Sequence, residues 1–343
     1  MKVLLISTSV FVLNPITGTE GYSGLENLVA NWAMQLNKMG VQVSVVAPEG
    51  SNLGEGIEII PIPLRCGEDV AYSIYKDRLI QFDCCEDHSW LWFSVLAQME
   101  ADRQLPIIHC YHSDPYNLGA PPPIQNPCMM AFSEAQANVI RSRWNCAVQV
   151  VRHGIDLDFY KPDPNVQRGN RYLFLARYTP EKGFLEIAHT AKKCRVPLDA
   201  FGDIEIIASE DYMRKCFEEN DGRQIKVAPG IPRTETVKQY QSHKALITWP
   251  NYMEIFGLST CEAMACGTPV LSKDSGAARE LIKHGKTGFV VSTLDELEDL
   301  IKSDAVSMIK PEDCRKQAMA FSIEKSARGH LQLLEDVSKG IVW

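Results

Sequence analysis

The chain has 343 residues, 45% of them hydrophobic and 23% charged, with a formal net charge of −8. That length exceeds one ordinary core and suits two domains of roughly 150 residues each. The acidic balance disfavours docking on nucleic acid or anionic lipid by general electrostatics. Residues 1–160 hold nearly all of the excess, with nine Lys/Arg against seventeen Asp/Glu.

The first element is a continuous apolar run, Lys2–Ser7, of the kind a parallel strand buried on both faces produces. It is too short for a secretory signal, and Asn, Pro and Gly follow where a cleavage region would sit. No stretch approaches the ~20 uninterrupted apolar residues of a membrane span. After a loop, Leu25, Leu28, Val29, Trp32 and Leu36 fall at helical spacing, and Gly40 stands where a helix over Leu25–Met39 would end. Val41–Ala47 then completes a strand-helix-strand unit with a right-handed crossover. Further strands are expected near Ile57–Ile62, Pro106–Tyr111 and Met129–Phe132, and Pro121-Pro122-Pro123 marks a loop. Asp, Pro, Asn and Gly cluster over Ile155–Arg168, where the domain junction is expected.

The second half repeats the alternation, with strands expected at Tyr172–Ala176, Leu198–Phe201, Ile225–Ala228, Ala245–Thr248, Pro269–Leu271 and Phe289–Val291. This pattern predicts parallel sheets covered on both faces, with ligands beyond the carboxyl ends of the strands. The expected division is an N-terminal Rossmann-like domain over 1–160, a second over 161–322, and a C-terminal helical segment over 323–343 that could pack back on the first. The eleven cysteines are scattered and form no C-x-x-C pair, so they read as small buried hydrophobes in a reducing cytosol, with no metal site expected.

The strongest chemical signal runs from Trp249 to Val270. It starts at the end of a predicted strand, passes through a loop holding Glu254, and enters a short helix holding Glu262 and closed by Gly267. Both carboxylates can face one ligand there, and unpaired amides at the helix start suit an anion. Read on charge alone, a capped helix with acidic residues in its first turn explains the same residues.

The wider string resembles family 4 of the retaining GT-B glycosyltransferases, whose hallmark is Glu-seven residues-Glu followed by Ala-Met-Ala-x-Gly-x-Pro-Val, here Glu262-Ala263-Met264-Ala265-Cys266-Gly267-Thr268-Pro269-Val270. The resemblance continues through Gly276–Glu280 and Gly285–Phe289, and through Leu173–Gly183, with Ala176 in place of the usual glycine. It implies an α/β GT-B fold, two Rossmann-like domains whose parallel sheets face across a cleft, and transfer of a sugar from a nucleoside diphosphate sugar. Within that resemblance Arg177 and Lys182 hold the donor diphosphate, consistent with an Arg fork and a Lys point charge. Glu254 accepts from donor sugar hydroxyls and Glu262 from the ribose, while Phe256, Gly257 and Leu258 supply donor-binding amides. Nucleobase contacts are expected through backbone near Val227–Ile231.

In the first half Gly21-Tyr22-Ser23-Gly24-Leu25-Glu26 resembles the family's Gly-Gly-x-Glu loop with Ser23 replacing the first glycine, which implies Gly24 at the donor and Ser23 in the cleft. An ordinary turn explains it equally. His112 aligns with the family histidine placed near the transferring sugar, and His88 with a second cleft histidine. Arg152-His153 departs from the family's Pro-Asn before Gly154-Ile155-Asp156.

The reaction implied is a retaining, metal-independent front-face transfer, with no cofactor beyond the nucleotide-sugar co-substrate. The acceptor is unassigned, a small molecule being favoured over a lipid, and no nucleic-acid partner is expected. Two other readings compete: a non-catalytic nucleotide-sugar-binding scaffold, and another GT-B enzyme such as a sugar-nucleotide epimerase or a phosphorylase. The four intact residues Arg177, Lys182, Glu254 and Glu262 argue against the scaffold.

Overall fold

Uninterrupted apolar runs become strands covered on both faces. The computed structural model of the protein describes residues 1–14, 24–100, 105–202 and 209–343. These divide into two units, Met1–Gly154 together with Ile323–Trp343, and Ile155–Ser322. The division falls at the head of the Asp- and Pro-rich segment that marks the junction in the sequence.

In the first unit β1 (Lys2–Ile6) leads to α1 (Gly24–Lys38), β2 (Gln42–Pro48), β3 (Ile57–Ile62), α2 (Glu68–Tyr75), β4 (Cys84–Asp87), α3 (Ser94–Glu100), β5 (Ile107–Cys110), β6 (Met129–Ala131), α4 (Glu134–Trp144) and β7 (Val148–Val150). The strands form one parallel sheet in the order β3-β2-β1-β4-β5-β6-β7. The order reverses beside β1, which pairs with β2 on one side and β4 on the other. Val3–Ile6 are shut from solvent because helices cover both faces.

The second unit holds β8 (Tyr172–Leu175), α5 (Phe184–Cys194), β9 (Leu198–Gly202), α6 (Glu210–Glu218), β10 (Ile225–Pro229), α7 (Arg233–Ser242), β11 (Ala245–Thr248), α8 (Leu258–Ala265), β12 (Val270–Lys273), α9 (Ala278–Leu281), β13 (Gly288–Val291), α10 (Leu294–Lys302) and α11 (Pro311–Ala318). Its parallel sheet runs β10-β9-β8-β11-β12-β13, and here the order reverses beside β8. Tyr172, Phe174, Leu198, Ala200 and Ile247 pack against Phe184, Ile187, Ala188 and Ala191 of α5 in its core. Two Rossmann-like units of parallel sheet thus follow from the alternation, as expected. Among the described residues no helix is long and apolar enough to cross a membrane.

The final helix, α12 (Ile323–Ser338), belongs to the first unit. Its buried residues Ile323, Ala327, Leu334 and Val337 recur at helical spacing as an apolar stripe interrupted by the buried His330, and the helix packs against α1. A polar clasp completes the contact: the Trp32 indole N–H donates to Ser326 Oγ at 3.0 Å, and the Ser326 hydroxyl donates to the Arg152 carbonyl at 2.7 Å. Both side chains are buried. Ser326→Ala would therefore strand the buried Trp32 donor away from water, at about 1–3 kcal/mol. A fall of roughly 2–4 °C in melting temperature per kcal/mol is the expected reading for a unit of this size. An unchanged melting curve would show that the clasp contributes nothing.

Candidate functional site

Ligands of open parallel sheets bind beyond the carboxyl ends of the strands, where the strand order reverses. In the second unit that point lies between β8 and β11. The chain leaving β8 carries Ala176 and Arg177, then turns through Pro180–Lys182. The chain leaving β11 carries Trp249–Gly257 before α8 begins. Asn251 ties the two together, its amide N–H donating to the Glu181 carbonyl at 2.7 Å and its side chain to the Pro180 carbonyl at 3.1 Å.

Gly183 permits this closeness, and Gly276, on the chain leaving β12, permits a second close approach to the β11 segment. Gly183 takes φ +71°, and a Cβ there would lie 2.1 Å from the Trp249 carbonyl oxygen. Gly276 takes φ +52°, and a Cβ would lie 2.0 Å from the carbonyl oxygen of Glu254, which the next amide, Ala277 N–H, approaches at 2.9 Å. Neither position admits a side chain without moving the backbone.

The charged groups meet on this frame. Lys182 Nζ donates to Glu254 Oε2 at 3.1 Å and also to the Tyr252 hydroxyl, which in turn donates to the same carboxylate oxygen. The ammonium lies 4.6 Å from the centroid of the Tyr252 ring. Arg177 is partly buried and makes no hydrogen bond or ion pair to another described side chain. Burial pushes the Glu254 carboxyl up, but the Lys182 charge, the Tyr252 hydroxyl and the more distant Arg177 charge outweigh it and hold the group below the usual carboxylate range. Tyr252, within the motif itself, is a partner that the reading of charges alone passed over.

Glu262 sits on α8 in a different setting. Burial raises its carboxyl above the usual range, opposed by the Tyr240 hydroxyl donating at 2.8 Å and by the Arg233 charge. Arg233 lies over the rings of Phe159 and Tyr160, and its Nε donates to the Tyr160 hydroxyl at 3.3 Å. Gly257 precedes α8 with φ +101°, and the first amides of a helix have no acceptor within it. Phe256 is buried, whereas Gly257 and Leu258 are partly exposed. Lys182, Glu254 and the start of α8 are thus brought together, with Glu262 farther along the helix.

The first unit offers a second grouping at its own reversal. His88 follows β4 and His112 follows β5. His88 Nδ1 lies 2.9 Å from His112 Nε2, and His88 Nε2 lies 3.3 Å from Glu86 Oε2. His330 of α12 reaches both oxygens of Glu86, with Nδ1 at 3.0 and 2.9 Å. Trp32 stacks on His88 at 5.1 Å and meets His330 at 4.3 Å. His153 stacks on Phe132 at 4.0 Å. Glu86, His88 and Cys110 place one ligand-type atom each within 4.8 Å of one another, the set among the described residues that could hold a metal. Their hydrogen bonds already occupy Glu86 and both nitrogens of His88. Gly24 opens α1, while Ser23 lies outside the described residues. Glu86 and His330 were not anticipated, since no local pattern links residues so far apart in the chain.

Known proteins resemble the chain over both units. Residues 22–159 match the family model described as Glycosyltransferase Family 4, and residues 158–320 the one described as Glycosyl transferases group 1. The D-inositol 3-phosphate glycosyltransferase of Corynebacterium jeikeium (strain K411) is 22% identical over 417 residues, covering 98% of this chain and 97% of the relative. AviGT4, a glycosyltransferase involved in Avilamycin A biosynthesis, superposes with a TM-score of 0.77 at 20% identity, over 100% of this chain and 99% of that one. HepE of Anabaena, solved in complex with UDP and glucose, superposes with a TM-score of 0.73 at 17% identity, over 98% and 100%.

The Lys182–Glu254 pair makes a prediction with a definite sign. Glu254 is depressed in the folded state, so its stabilisation is present above the unfolded carboxylate value and is lost as pH falls through the folded value. Lys182→Met should let burial prevail and move the Glu254 titration upward, read by carbon-13 NMR of the carboxyl. The melting difference from wild type should be largest near neutral pH and shrink in acid. A Glu254 titration unmoved by the substitution would refute the assignment.

Proposed function

The chain belongs to the GT-B glycosyltransferases, family 4 in its N-terminal part and group 1 in its C-terminal part, and we propose that it moves a sugar from a nucleoside diphosphate donor to a hydroxylated acceptor with retention of anomeric configuration. The observation that carries this reading is the convergence of Arg177, Lys182, Glu254 and the start of α8 on one strand-order reversal. An anion with hydroxyls attached matches that set better than any other small-molecule class.

In this reading Arg177 and Lys182 hold the diphosphate and stabilise its charge as the glycosidic bond breaks. Lys182 exchanges its Glu254 partner for phosphate, leaving the carboxylate to accept from donor sugar hydroxyls. The amides at Phe256, Gly257 and Leu258 complete the anion site. Glu262 has capacity left beside its Tyr240 bond, since two carboxylate oxygens accept about four hydrogen bonds, and it takes the ribose hydroxyls. The acceptor attacks from the face the diphosphate leaves, and a leaving phosphate oxygen takes its proton. His112 is assigned to a substrate hydroxyl. No step calls on a metal or an added cofactor.

HepE was solved with UDP and glucose, which supports a nucleotide-sugar donor here. The acceptor is a small polar molecule, and the D-inositol 3-phosphate glycosyltransferases among the relatives make phosphorylated polyols the first class to try. All eleven cysteines are free thiols, which supports a cytosolic setting.

A melting screen against UDP, GDP, ADP, TDP and their sugar conjugates should find one base family that stabilises the protein. At 100 times its dissociation constant a ligand adds about 2.7 kcal/mol, a shift of several degrees, and Arg177→Ala should abolish it. With the donor found, Arg177→Ala should lower turnover by about 10²–10³-fold. Glu254→Gln should lower turnover more than nucleotide binding, and equal losses in both would contradict its role. The anomeric configuration of the product, read by NMR, tests retention, and a trapped covalent glycosyl-enzyme would overturn front-face attack.

A further inference from the structure

The buried histidines of the first unit form a directed chain of hydrogen bonds. Glu86, His88 and His330 have no solvent exposure, whereas His112 at the far end is partly exposed. Burial pushes the Glu86 carboxyl up, but the His330 charge and the hydrogen bonds from His330 and His88 more than reverse this, to about 2. An ionised carboxylate only accepts, so the facing nitrogens, His330 Nδ1 and His88 Nε2, carry the protons. Burial, together with repulsion from His330, pushes the His88 imidazole down and keeps it neutral, against the pull of Glu86. Its remaining nitrogen, Nδ1, is then bare and can only accept. The 2.9 Å contact with His112 therefore has His112 Nε2–H as donor. His112 is itself held neutral by burial and by the neighbouring histidines, so its Nδ1 carries a lone pair, and no described residue hydrogen-bonds to that atom. The opposite assignment would turn the bare Nε2 of His88 toward a buried carboxylate with no proton between them, which is electrostatically unfavourable.

We propose that Glu86 is a positioning residue, which through His88 fixes the tautomer of His112 so that His112 presents an unprotonated Nδ1 as acceptor for a substrate hydroxyl. The inference rests on the proposed function for the role of His112, though the tautomer itself does not. His330 completes the device by holding Glu86 from α12, and Trp32 packs against both His88 and His330.

The test begins on the wild-type protein with nitrogen-15-labelled histidine. Long-range proton–nitrogen correlation spectra should show His112 with Nε2 protonated and Nδ1 bare. A proton on Nδ1 would overturn the proposal, and this measurement needs no variant to fold. In Glu86→Gln the carboxamide can accept from His330 and donate to His88 Nε2. Both tautomers should then reverse, with turnover falling at least about tenfold, the lower end of what loss of the outer hydrogen-bond partner costs a metal-ligating histidine. Reversal of the tautomer with unchanged turnover would refute the functional half. Unchanged turnover in His112→Ala beside the expected wild-type spectrum would locate the error in the role given to His112, leaving the donor-site reading intact. A metal ion found in stoichiometric amount on His88 Nε2 would also overturn the proposal, because a metal takes the lone pair where the relay needs a proton.

Discussion

Everything chemical in the second unit depends on the reversal of strand order beside β8. Parallel strands joined by right-handed crossovers send their helices to one face while the order runs one way and to the other face after it turns. The segments that leave β8 and β11 therefore part company, and the space between them is where backbone amides and side chains can meet a ligand. Arg177 and Lys182 come from one segment, Glu254 and the start of α8 from the other. The close backbone approach at Gly183 holds the two segments in register, and the one at Gly276 sets the second against the chain leaving β12.

On that frame two carboxylates a short distance apart in sequence acquire opposite characters. Glu254 shares a lysine and a tyrosine hydroxyl and is kept ionised. Glu262 is partly buried beside Tyr240 and Arg233, and its carboxyl is raised above the usual range. The carboxylate with the lowered value is the weaker base and stays charged, while the one with the raised value holds its proton more readily. The same residue type thus supplies two kinds of contact, set by neighbours and not by the motif itself.

Much of the fold was legible because buried parallel strands advertise themselves as apolar runs. β3 and β11 match their expected bounds, and the others differ by a residue or two at an end. β7 escaped notice: it lies at the sheet edge, only three residues long, with Gln149 exposed between its valines. β4 carries no apolar-run signal, since Cys84-Cys85-Glu86-Asp87 holds two acids yet is fully buried. Its carboxylates are tolerated because their partners come from elsewhere, His330 for Glu86 and the Ser94 hydroxyl for Asp87. The arginine, lysine and paired glutamates of the candidate site lie inside ordered motifs and could be named in advance. Tyr240, Arg233 and Glu86 could not, because they act through tertiary neighbours that no local spacing encodes.

The path of α12 has a consequence for how the protein comes into being. The second unit is one continuous stretch of chain, but the first is interrupted and is finished only by its last residues. Until Ser326 and His330 arrive, the Trp32 indole lacks its acceptor and Glu86 lacks one of its donors. During synthesis, where domains generally fold from the N-terminus onward, the first half to emerge is thus the last to be completed. A nascent chain arrested before residue 323 should hold a mature second unit beside a first one whose buried acid is still exposed to water, and this is the stage at which a chaperone would find most to bind.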